Sequence, residues 1–256
     1  MGAIATNRGT IDVVEAGGGD ATPILFLHGV GSDHHVWAPQ IAHFSIARRA
    51  VALAYPGYGG SEFIDGVTRD DYAASVLAAM DALAIGRAHI CGLSLGGVVA
   101  IALHALARER CASLIIADSF AVHPEGQAIY DRSVAASRTI GMCALADARV
   151  DALLGSAATP AMRRAVIDTM GAIDPEAFVL GARAVWLADQ RDRAAAIDVP
   201  ALVLVGEEDS ITPLALSEHL ATLVPGAKLA IVPGAGHLAN LEQPESFNAA
   251  IDGFLQ

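Results

Sequence analysis

Cys91-Gly92-Leu93-Ser94-Leu95-Gly96-Gly97 decides how this chain is read. The apolar run Ala88-His89-Ile90-Cys91 before it reads as a short buried strand, and Val98-Val99-Ala100-Ile101-Ala102-Leu103 after it opens a helix. Ser94 therefore falls on a sharp strand-to-helix turn of the G-x-S-x-G kind, where the backbone is strained and the hydroxyl is lifted above the sheet edge. Gly92 and Gly96 are small because strand and helix would otherwise collide. A serine so placed is a candidate nucleophile. The pattern predicts its partners: a histidine near the C-terminus, an acid between the two, and an upstream loop of backbone donors.

The upstream loop is found where Pro23-Ile24-Leu25-Phe26-Leu27, a predicted strand, ends in His28-Gly29-Val30-Gly31-Ser32. The N–H groups of Val30 and Leu95 are the candidate oxyanion donors. Downstream, the strand Ala201-Leu202-Val203-Leu204-Val205-Gly206 runs into Glu207-Glu208-Asp209, and Lys228-Leu229-Ala230-Ile231-Val232 leads to Gly236-His237. Ser94, Asp209 and His237 each follow the C-terminal end of a predicted parallel strand, and those ends share one edge of an open sheet. Chemistry needs these types: the serine hydroxyl is a weak nucleophile until a histidine takes its proton, and the aspartate fixes the imidazole tautomer. Asp118, after the strand Ser113–Asp118, is the rival acid, whereas Glu207 and Glu208 read as solvated loop charges. His28 reads as structural, Cys91 as packing, and His34-His35 as lacking companion ligands for a metal.

Composition narrows the classes. The chain has 256 residues, 54% of them hydrophobic, and a formal charge of −12, which leaves no basic stripe for a nucleic acid. Its three cysteines are read as reduced, and no apolar run reaches a membrane span or a signal peptide, so the expected setting is cytoplasmic with no membrane partner. Met1-Gly2-Ala3-Ile4-Ala5-Thr6 fits a loose myristoylation pattern but reads as a first strand. Strands alternate with helices up to Asp118; from Ser119 to Asp192 only helical patterns occur, beginning after Pro124, at Met142, at Thr159-Pro160 and at Asp174-Pro175. Residues 1–118 and 193–256 are thus expected to form a core domain, and 119–192 a helical cap, since some seventy residues are too many for a connection.

With those motifs in hand, the chain resembles the α/β-hydrolase superfamily over nearly its whole length. Within it, His28-Gly29-Val30-Gly31-Ser32 with Trp37, the cap segment around Arg132 and Gly141-Met142, Val199 to Gly206, and Gly236-His237-Leu238-Ala239-Asn240-Leu241-Glu242-Gln243-Pro244 are similar to the 3-oxoadipate enol-lactonase-like and carboxylesterase group. The resemblance implies an α/β-hydrolase fold: a mostly parallel central sheet, helices on both faces and a helical cap insertion. It also implies a cofactor-free, metal-free serine hydrolase acting on a small-molecule ester or enol-lactone through an acyl-enzyme. Ala54 departs from the pattern, because relatives usually carry aspartate there, and Ser94 itself disfavours dehalogenation. A carbon–carbon bond hydrolase of an aromatic-degradation product uses the same triad, peroxide can replace water as a side activity, and a hydrolase-fold ligand receptor is the alternative of another class. An enol-lactone of 3-oxoadipate carries a carboxylate, so Arg132 and Arg138 are candidate substrate-binding residues; six positions apart on a helix they lie about 240° around it. Met142, Phe178 and Trp186 are candidate pocket residues. Oligomeric state has no mark in the sequence.

Overall fold

The computed structural model describes residues 2–256. Met1, the first residue of the N-terminal pattern and of the expected core segment, lies outside the described residues. In chain order the strands are β1 (Gly2–Thr6), β2 (Gly9–Ala16), β3 (Ile24–Leu27), β4 (Ala50–Leu53), β5 (Ala88–Leu93), β6 (Cys111–Ala117), β7 (Ala201–Gly206) and β8 (Lys228–Val232). The helices are α1 (Ala38–Phe44), α2 (Arg69–Ala82), α3 (Leu95–Leu106), α4 (Gly126–Leu153), α5 (Pro160–Gly171), α6 (Pro175–Trp186), α7 (Arg191–Ala195), α8 (Leu214–Leu223), α9 (Ala239–Glu242) and α10 (Pro244–Leu255). The sheet runs β1-β2-β4-β3-β5-β6-β7-β8, antiparallel at β1/β2 and β2/β4 and parallel elsewhere.

Strands β3, β4 and β7 are buried at every position and consist almost wholly of apolar residues, as a parallel sheet covered on both faces requires. Helices α1 and α10 pack together over one face, and α2, α3, α7 and α8 form a linked row over the other. From β3 the chain crosses to β4 on one side and then returns to β5 on the other, so the loops after β3 and β5 diverge from neighbouring strands. Such a switch point leaves a crevice at the strand C-termini. Ser94 and the 28–32 loop sit there.

Between β6 and β7 the chain forms α4, α5 and α6. Their capping follows the sequence: the Thr159 hydroxyl accepts the Met162 amide, Asp174 accepts those of Glu176 and Ala177, and both helices carry proline in the first turn. Helix α4 is two helices, because Gly141 adopts φ 77 and ψ 167, which a residue with a side chain would resist. The two ends of the insertion meet at the Val122–Asp189 bridge, where the Gln190 amide also donates to Ala121 O. The helices α1, α7, α8 and α9 have no counterpart in the sequence reading; all are short, and a single apolar stripe over so few turns resembles a loop. Among the described residues no helix is long and apolar enough to cross a membrane.

Candidate active site

Ser94 is the hinge of β5 into α3, with φ 55 and ψ −111. Two contacts enforce that shape. A Cβ on Gly92 would run into the backbone of Gly96, and one on Gly96 would run into the carbonyl of Leu27 in β3. The turn is pinned on both sides: the Ser94 amide donates to Ala117 O at 2.9 Å, and the Ser119 hydroxyl donates to Ser94 O at 2.7 Å. Ser119 is a positioning residue that the motif did not name.

The 28–32 loop lies against the serine, with a Cβ position on Gly29 only 3.3 Å from Ser94 Cβ. His28 holds this loop: its Nδ1–H donates to Gly29 O at 2.8 Å and its Nε2 accepts the Tyr55 amide. Burial lowers its pKa to about 4, so the ring is neutral and structural. Leu95 is the first residue of α3, and the first amides of a helix have no intrahelical acceptor. Among the described residues neither the Val30 nor the Leu95 amide donates to another backbone group.

Opposite them, His237 Nδ1 donates to Asp209 Oδ2 at 2.9 Å, and both side chains are buried. Asp209 Oδ1 accepts the amides of Ile211 and Thr212, and the Thr212 hydroxyl donates to Oδ2 at 2.6 Å. Burial alone would raise this carboxyl; the adjoining His237 and the Thr212 donors overcome it and hold the pKa at about 2. Thr212 was not foreseen, although an Asp followed three residues later by Thr after a strand is the signature of such a turn.

Asp118 does not contact the histidine. It is fully buried with φ 47, and its Oδ1 accepts the Gly206 amide at 2.7 Å. Burial and the neighbouring Asp209 push its carboxyl well above the ordinary range, which favours the protonated form, and among the described residues its Oδ2 has no hydrogen-bond partner. An unfolded aspartate releases that proton above ~3.9, so the raised Asp118 makes a contribution to stability that is lost as pH rises from about 4. Asp118→Asn mimics the protonated acid and lacks that slope: its stability relative to wild type, read by denaturant unfolding, is expected to grow between about pH 5 and about pH 7. Asp118→Ala leaves the Gly206 amide unpaired and is expected to lose about 1–3 kcal/mol.

The acidic residues nearby each accept hydrogen bonds from neighbouring loops. Glu208 accepts the Ser156 amide and hydroxyl, and Glu207 accepts the Gly234 amide. Glu242 takes the amides of Gly155 and Gly236 at 2.6 and 3.0 Å, while the His237 amide donates to Leu153 O. The C-terminal end of α4 is thereby fastened to the loop that carries His237. Glu207 and Glu208 are exposed loop charges, as expected, and each also ties down a neighbouring loop through one backbone amide.

Ser94 and His237 line one cavity of about 180 Å³, whose wall includes Gly29, Val30, Phe178 and Trp186. A larger, more open cavity of about 680 Å³ adjoins it. Trp186 lines both, and Arg132 lines the outer one only. Arg138 is exposed and lines neither, since it lies around the helix from Arg132. Met142 is buried against the helical layer and also lines neither. The arginine on the inner wall is Arg149, which the sequence reading passed over.

His34 and His35 do have a companion: Asp33 caps the short helix they begin and brings three donor atoms within 4.8 Å. Its Oδ1 already accepts the His35 amide and lies 3.0 Å from His35 Nδ1, and His34 faces Asp12. Cys91, Cys111 and Cys143 are all free; Cys91 and Cys111 are buried, Cys143 is exposed. Burial raises the first two thiols, Cys111 to about 12, so neither is a nucleophile.

This arrangement has close counterparts. A 3-oxoadipate enol-lactonase of Acinetobacter baylyi is 29% identical over 255 residues, covering 98% of this chain and 96% of that protein. The crystal structure of an enol-lactonase from Burkholderia xenovorans superposes with a TM-score of 0.93 at 30% identity, over 99% of both chains. A malate-bound thermophilic esterase from Thermogutta terrifontis does so at 0.91 and 28% identity, over 99% and 97%. Residues 24–250 match the family model of the alpha/beta hydrolases, and with that sheet order and that serine turn the chain belongs to the alpha/beta hydrolase family.

Proposed function

We propose that the protein is a cofactor-free serine hydrolase that cleaves a small carboxylic ester or enol-lactone. The observation that carries this reading is the buried Asp209–His237 pair, 2.9 Å apart, facing one cavity with a serine on a strained turn. Similarity to enol-lactonases and an esterase across nearly the whole chain supports the substrate class. Residues 119–192 act as a cap, whose helices α4 to α6 supply Leu153, Val166 and Phe178 to the cavity wall.

With Asp209 accepting the Nδ1 proton, the Nε2 lone pair of His237 takes the proton of Ser94 Oγ as that oxygen attacks the carbonyl. The resulting oxyanion is held by the Val30 and Leu95 amides. Collapse breaks the bond to the leaving oxygen, which receives the proton back from His237; in a lactone the enol so formed stays attached to the acyl group. Water, deprotonated by the same histidine, then attacks the Ser94 ester and releases the acid. The test is a pre-steady-state burst with a 4-nitrophenyl ester followed by peptide mass analysis. A burst near one equivalent with the acyl mass on the peptide holding Ser94 is expected; an acyl group on another residue would overturn the assignment.

A further inference from the structure

Arg149 lies in the second half of α4, on the wall that separates the two cavities, and lines both. Among the described residues it has no carboxylate partner; its one polar contact is Nη1 donating to the Ser133 hydroxyl at 3.3 Å. Its surroundings desolvate the guanidinium and lower its pKa, yet an arginine stays charged in a protein. The inner wall carries no aspartate or glutamate, and besides Arg149 its only titratable groups are His35 and His237. The outer cavity adds Arg132, His123 and one acid, Glu125. Arg149 is half-buried, and a desolvated cation without a counter-ion opposes folding. It is retained most simply where a ligand brings the anion.

We propose that Arg149 binds a carboxylate carried by the substrate beyond its scissile carbonyl, so that the enzyme selects anionic over neutral esters. This rests on the ester-hydrolase reading above. The planar guanidinium matches two carboxylate oxygens, and the Ser133 hydroxyl, which accepts from Arg149, keeps its own proton to donate to the same anion. A phosphate dianion would need more donors than this wall offers. The inner cavity, about 180 Å³, equals roughly six waters at ~30 Å³ each; it suits a short chain ending in a carboxylate.

Two matched ester pairs test this, with kcat and KM measured on wild type and Arg149→Met. One pair places the charge on the acyl side, 4-nitrophenyl hydrogen glutarate against 4-nitrophenyl valerate. The other places it on the alcohol, carboxymethyl butyrate against propyl butyrate. At least one pair is expected to favour the anion by about tenfold to a hundredfold in kcat/KM, mostly through KM, the size of a buried charge-assisted contact. In Arg149→Met the ratio of anionic to neutral kcat/KM collapses toward unity, and Tm stays level or rises because an unpaired cation has been removed. Arg149→Lys, which keeps charge without the fork, retains part of the preference and covers the case of a poorly folding Met variant. A wild type that favours neutral esters in both pairs, or an Arg149→Met that slows neutral and anionic esters alike with a lower Tm, overturns the proposal and leaves the hydrolase reading intact. Folded wild type that turns over no ester of either pair sinks both.

Discussion

Ser94→Ala is expected to lower kcat for ester hydrolysis by on the order of 10⁶-fold, because the covalent route vanishes and the rest of the triad cannot act without the nucleophile. Residual turnover of ~10³–10⁴ over water would come from the oxyanion donors and substrate positioning. The fold gives this variant no reason to fail. Alanine keeps the Cβ and hence the same positive φ, and the contacts that pin the turn, Ser94 N to Ala117 O and Ser119 Oγ to Ser94 O, use only backbone atoms of residue 94. Tm should therefore stay within a few degrees of wild type while activity disappears. Turnover within tenfold of wild type in a contaminant-free preparation would remove Ser94 from the mechanism. Ser94→Gly makes a companion control: it relieves the φ 55 strain and should be more stable by ~1 kcal/mol, since such strain costs about 1–3 kcal/mol, and equally inactive.

Gly96→Ala is expected to have the largest effect on folding. Its new methyl meets the Leu27 carbonyl of β3, a backbone atom held in the middle of the sheet by pairing on both sides, with Leu53 of β4 and Gly92 of β5. Neither α3 nor β3 can retreat without opening the core, so about 3 kcal/mol or more should be lost, at the upper end of overpacking costs. For a chain of this size ~1 kcal/mol corresponds to roughly 2–4 °C, giving a Tm lower by about 10 °C in thermal unfolding. A Tm unchanged by Gly96→Ala would mean that the elbow is not packed as described.

The same two residues explain how much could be read beforehand. The elbow turn, the Asp209–His237 pair and the parallel strands are legible because each combines a local pattern with a fixed place at a strand end; β7 and β8 span the residues that their sequence pattern predicts. What escaped has no local signature. Thr212 and Ser119 act through single hydrogen bonds set by loop geometry. Arg149 sits in Asp147-Ala148-Arg149-Val150-Asp151, within the helix expected from Met142, where the flanking aspartates resemble a solvent-facing side. Its inward direction depends on the break at Gly141, across which helical periodicity cannot be counted. Arg132 and Arg138, on the near side of that break, were the visible candidates for the same task.

The fastening of α4 to the histidine loop has a consequence for movement and for engineering. Because Leu153 O, Gly155 N and Glu242 tie residues 153–155 to residues 236–237, any gating motion of the helical layer has to bend elsewhere, and Gly141 is the joint already built into α4. Swinging 142–153 as a body would drag the base out of line with Ser94, whereas swinging 126–140 or α5 would not. A transplant that changes substrate range should accordingly exchange the chain from Ala157 to Asp189 and leave 153–156 with the recipient, so that the new lid arrives without disturbing the loops that carry Asp209 and His237.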